Sequence, residues 1–229
     1  MSKSKVISTD DILATLCHSV TQVLSSASGN SIGYSAMVQK ISHTCMRPDL
    51  GCFVLFDGGF SALVVTNFSA GAALEIYGNY LRNMGMPQSE LAKSHLSDDV
   101  ANVLGELMNQ IVGDFSKKVR EQLHTSISQN QPKMMAINKQ VQISVDTTSD
   151  RPQARRVTFT TQSQHIFYLE MAMEKTEFFK LRDFDINEDL DTREAADLDK
   201  SATNTRAKAK QAQDVEQDID DDFMENLGL

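Results

Sequence analysis

Asn102-Val-Leu-Gly-Glu106-Leu-Met-Asn109-Gln-Ile-Val-Gly113 is the stretch on which the reading of this 229-residue chain turns. At about 100° per residue, a helix puts Val100, Val103, Leu104, Leu107, Met108, Ile111 and Phe115 on one side. Asn102, Glu106, Asn109 and Gly113 then share the opposite side, at offsets of 4, 3 and 4 residues that make helix neighbours. The pattern predicts a long helix from about Ser97 to Gln122, with an apolar face and a stripe of one carboxylate, two amides and a glycine. Gly113 costs about 1 kcal/mol relative to alanine inside a helix. In return it lets another surface come close to the stripe.

Working outward, Thr9 or Asp10 is placed to cap a first helix running to about Ala27, ended by Gly29-Asn30. Strands are expected at about 31–42, 51–57 and 60–67, with Gly58-Gly59 as the turn between the last two. Ser69 is placed to cap a second helix over about 70–84. Beyond Pro132, strands are expected at about 134–147, 154–162 and 164–174. The short connections imply an α+β fold: a mostly antiparallel sheet of about six strands packed by helices.

Charge divides the chain. The net charge of -9 arises almost entirely at one end. Residues 1–182 carry a net of +1 and residues 183–229 a net of -10. The expected organisation is a domain over 1–182, a disordered acidic linker over 183–216, and a short amphipathic peptide over 217–229. The linker has too few large apolar side chains to offset its ordering entropy. In the peptide, Ile219, Phe223, Met224, Leu227 and Leu229 return at helical spacing.

No basic footprint for nucleic acid is present overall. No apolar run reaches the roughly 18–20 residues of a membrane span, and Met1 to Asp11 has no apolar signal core. Cys17, Cys45 and Cys52 have no CxxC spacing and read as reduced, buried, cytosolic thiols. The five histidines lack ligand spacing, so no metal site is expected. Met37, Met84, Met134, Met135, Met171 and Met173 are read as core or interface fillers. The basic clusters Arg151, Arg155, Arg156 and Lys117, Lys118, Arg120 are read as solvated faces.

The central helix resembles the signature helix of the CheC/CheX phosphatases of bacterial chemotaxis. That signature runs Asp or Ser, three residues, Glu, two residues, Asn, twenty-two residues, Pro. Glu106, Asn109 and Pro132 match; Asn102 stands where the family has Asp or Ser. One copy of the motif is present, as in CheX, whose relatives form dimers. Glu75 and Asn79 are four residues apart and do not make a second.

The resemblance implies a cytoplasmic hydrolase acting on the aspartyl phosphate of a CheY-like response regulator. It implies Asn109 as the group that positions the attacking water and Glu106 as the partner of the regulator's lysine. Asn102 and Gly113 are auxiliary on the same face. The cofactor, magnesium, comes with the regulator and not with this chain.

The last thirteen residues resemble the regulator-binding peptide of CheZ, an unrelated CheY phosphatase. Asp221, Asp222, Phe223, Met224, Leu227 and Leu229 carry this likeness, with Ile219 on the same apolar face. A linker of thirty-four residues reaches roughly 30–35 Å, so the peptide can hold a regulator near the helix. Two further readings stay open. One is a module that captures phosphorylated regulator without hydrolysis; the other is an adaptor in which the stripe is inert.

Overall fold

The computed structural model describes residues 6–137, 141–145 and 152–179. Three helices lie on one face of an antiparallel sheet. They are α1 (Thr9–Ser28), α2 (Ala70–Asn83) and α3 (Asp98–Leu123). In chain order the strands are β1 (Val6–Ser8), β2 (Gly33–Tyr34), β3 (Gln39–Ile41), β4 (Thr44–Met46), β5 (Leu50–Gly58) and β6 (Ala62–Phe68). They continue as β7 (Ile127–Gln129), β8 (Lys133–Ala136), β9 (Ile143–Val145), β10 (Gln153–Thr160), β11 (Ile166–Met173) and β12 (Glu177–Phe179).

The main sheet has the order β2-β10-β11-β6-β5-β7, with β3 also on β10 and β8 also on β5. It is therefore six positions wide, each edge being shared by two short strands. The expected α+β class and antiparallel sheet are what the structure has.

Both edges are broken by bulges. Tyr34 pairs with Phe159 and Gln39 with Arg156, so five steps along the edge match three along β10. On the other edge, Gln129 pairs with Phe56 and Lys133 with Phe53, so four steps match three. Pro132 falls in that second bulge, where its missing N–H costs no ladder bond. The single strand expected over 31–42 is thus two pieces around a bulge. That expected over 134–147 is likewise two, β8 and β9. The three-residue strands β1, β7 and β12 are too short to show a periodicity.

Alternation assigns the two faces. Leu50, Cys52, Val54 and Phe56 of β5, with Val157, Phe159, Phe167 and Leu169, meet the helices in the main core. Phe159, Phe167 and Phe68 stack in a row at 5.0 and 5.1 Å. Leu63, Val65, Ala154 and Ala172 point the other way, into a small second core. A separate ribbon of β4 and β9 contributes Met46, Ile143 and Val145 to that core. All of β6 is consequently buried, as expected for a strand covered on both faces.

The first helix is capped one residue earlier than expected. Ser8 and Asp11 form a reciprocal capping box at α1. Ser69 caps α2 as anticipated, and Ser97, placed at the start of the third helix, caps α3. Cys17, Cys45 and Cys52 are free and buried. Met171 and Met173 are core residues, but Met37 is 82 % exposed and Met84 is also exposed. Arg156 is not on a solvated face: it pairs with the fully buried Glu170. Arg151 and the expected linker and peptide lie outside the described residues.

Candidate functional site

α3 is held as a rigid beam. Val100, Leu104, Leu107, Met108, Ile111, Val112, Phe115 and Val119 are all buried beneath it. Each large apolar side chain so buried contributes roughly 1.5–3 kcal/mol. Phe115 meets Phe56 edge-on at 5.2 Å, fixing the helix to β5. Lys118 Nζ donates to Asp114 Oδ2 at 2.6 Å and to Gln22 Oε1 at 2.9 Å, tying α3 to α1. Beneath Gly105, Met134 Cγ lies 3.4 Å from where a Cβ would stand, so β8 packs close under the helix.

On this beam Asn102, Glu106, Asn109 and Gly113 are all exposed. The structure brings the four together on one face, as the helical spacing predicted. A Cβ on Gly113 would meet nothing within 4 Å. Among the described residues, Asn109 has no hydrogen-bond partner, so its amide can both accept from and donate to a water. Glu106 Oε1 accepts a long 3.5 Å bond from Gln110 Nε2. Gln110 was not among the sequence candidates. Its i, i+4 spacing from Glu106 is the signal that points to it.

Glu75 does other work. It accepts from the Thr161 hydroxyl and from Ser163 N at 3.0 Å, and its Oε2 lies 2.7 Å from His165 Nδ1. It thereby anchors the β10–β11 hairpin to α2. Asn79 accepts from Arg82 Nη2. Neither joins the α3 stripe.

A family model described as "Protein of unknown function (DUF3334)" matches residues 3–229. The chain belongs to the DUF3334 family. No curated protein matches it in sequence. Among solved structures, this DUF3334 chain is similar to the chemotaxis protein CheX of Desulfovibrio desulfuricans. The TM-score is 0.59 at 17% identity, over 72% of this chain and 99% of that one. CheX of Vibrio vulnificus gives 0.56 at 15% identity, over 72% and 99%. A CheX from Borrelia burgdorferi, solved as a CheX-CheY-BeF3-Mg2+ complex, gives 0.53 at 14%, over 71% and 97%. At these identities the likeness is one of fold, and the DUF3334 domain is CheX-like. None of its described helices is long and apolar enough to cross a membrane.

Proposed function

We propose that this protein binds a phosphorylated CheY-like response regulator and hydrolyses its aspartyl phosphate. The observation that carries the reading is the exposed Glu106–Asn109 pair, three residues apart on a rigid helix of a CheX-like domain. The complex of the Borrelia CheX with CheY supports the choice of partner.

In this reading α3 lies along the regulator's phosphorylation site. The Asn109 amide accepts a hydrogen bond from a water and donates one to its oxygen, holding it in line with the phosphorus–oxygen bond that breaks. Water's oxygen bonds to phosphorus as the phosphorus–oxygen bond to the aspartate breaks; the carboxylate leaves, and both water protons depart with the inorganic phosphate. Glu106 pairs with the regulator's lysine and sets the register of the amide. Magnesium is held by the regulator. Such catalysis is mainly positioning and charge stabilisation, so neither residue needs an unusual protonation state.

Residues 217–229, outside the described part of the chain, are proposed to grip the same regulator at a second place.

The test times the loss of aspartyl phosphate from candidate regulators of the source organism. Wild type is expected to accelerate it and Asn109→Ala is not, while both bind. If a regulator binds in its phosphorylated state and neither protein speeds hydrolysis, the capture reading replaces the catalytic one. Asn102, in place of Asp or Ser, is the observation that favours this alternative.

A further inference from the structure

A cavity of about 420 Å³ lies between α1 and the bulged sheet edge, with no residue of the α3 stripe in its lining. Its origin is the two extra residues between β2 and β3. Ser35 N still bonds to Thr158 O at 2.9 Å, after which the chain leaves β10 until Gln39. Ala36 and Val38 form one wall, Leu13, Ala14 and Cys17 of α1 form another, and Val157 lies between them. Bulges of this kind are common beside binding sites, and both the volume and the apolar lining suit a small ligand.

The mouth is charged in an unusual way. Lys40 and Arg155 line the cavity and are direct cross-strand partners. Like charges placed so destabilise an antiparallel pair. Asp10 gives only partial relief: its Oδ1 is 3.7 Å from Arg155 Nε, and its side chain is 74% exposed. Exposed pairs of that geometry contribute little. Among the described residues, no ion pair involves Lys40. Two cations thus face each other over an apolar hollow; Arg155 donates to the neutral Gln153 Oε1 at 3.1 Å and Ala154 O at 3.4 Å, and the one acid near it, Asp10, is paired with Arg155 alone.

We propose that this cavity binds a small amphipathic carboxylate. Its apolar body fills the space between Ala14, Val38 and Val157, and its carboxylate lies between Lys40 and Arg155. The ligand supplies the charge that the cross-strand pair lacks. A planar guanidinium and a point ammonium together suit one carboxylate.

The test uses the full-length protein with octanoate, octanol and octylammonium, read by calorimetry and thermal melting. Octanoate is expected to bind at least tenfold more tightly than octanol, and octylammonium not to bind. Lys40→Gln and Arg155→Gln should each weaken octanoate about tenfold. Lys40→Gln should at the same time raise the melting temperature without ligand, because it removes the repulsion. Ala14→Trp, on an exposed turn of α1, should abolish binding while leaving the fold intact. Equal affinity for octanoate and octanol, absence of binding by octanoate, or unchanged affinity in Ala14→Trp would each overturn the proposal.

Discussion

Arg156 and Glu170, partners on adjacent strands, form an ion pair in which the carboxylate is completely buried. Arg156 Nη2 and Nε lie 2.7 and 2.8 Å from Glu170 Oε1, and Cys45 N donates to Oε2 at 2.9 Å. The Arg156 guanidinium also lies 5.7 Å from the centre of the Tyr168 ring. Both carboxylate oxygens are therefore satisfied, and the pair joins the sheet to the β4–β9 ribbon through Cys45.

Breaking that pair leaves an uncompensated charge in the second core. Arg156→Ala and Glu170→Ala are each expected to cost about 3–5 kcal/mol. Replacing both with apolar residues of similar volume should cost much less. Urea unfolding of the two single variants and the double variant measures the difference.

Glu75 predicts an acid-side loss of stability. Burial pushes its carboxyl up, but the bonds from Thr161, His165 and Ser163 outweigh this and hold it below the ordinary value of 4.5. A lowered folded value means that the stabilisation is complete above 4.5 and is lost as pH falls through the folded value. Thermal melts across pH should show wild type more stable than Glu75→Gln near neutrality, with the gap closing in acid.

Asn109→Ala is expected to lower regulator dephosphorylation by roughly 100-fold, the scale of removing a positioned polar group from such a reaction. The side chain is exposed and has no partner among the described residues. Its melting temperature should therefore be no lower than that of wild type, and slightly higher because alanine is the better helix former. Phosphate release and melting, measured on the same preparation, separate a catalytic loss from a folding defect.

Gly113 separates the needs of the fold from those of a partner. With open space around the site of a Cβ, Gly113→Ala should raise stability by about 1 kcal/mol. Gly113→Leu should fold equally well yet weaken regulator binding, because it adds bulk at the proposed point of approach. Binding and unfolding measured together should move in opposite directions.

Ending the chain at residue 216 is expected to raise KM for the phosphorylated regulator by tenfold or more with little change in kcat. A tethered peptide acts through effective concentration, not through the chemical step. Steady-state kinetics of the two forms check this.

The α3 stripe was readable because twenty-six helical residues give the 3.6 period room to show. Glu106 and Asn109 fall on its exposed face for the same reason that Leu107 and Ile111 fall beneath it. The break at residues 35–38 was not readable, since it shows only in the registers at which β2 and β3 meet β10, and Val38 alone does not reveal a bulge. The cap of α1 was ambiguous because Ser8, Thr9 and Asp10 are all good capping residues; only the return bond from Asp11 selects Ser8. The Arg156–Glu170 pair hides in plain sequence. Fourteen residues separate its members, and only the β10–β11 register, which places them opposite each other, brings them together. Cys45 is farther still along the chain. The peptide at 217–229 rests on its sequence alone.

The pairing of β1 with β12 places Val6 directly opposite Phe179, with the chain arriving through Glu177 and leaving through Ser8. Thr9 N and Thr176 O, 3.1 Å apart, continue the contact. These two segments have the geometry of a hairpin that lacks only its loop. Thr9 N bonding to Thr176 O makes Ile7–Phe178 the last hydrogen-bonded pair, so a two-residue link from Phe179 to Val6 would close a four-residue loop on it. The domain is thus a closed circuit in space, and a permuted gene could start it at the bulge beside Met37 and still encode the same fold.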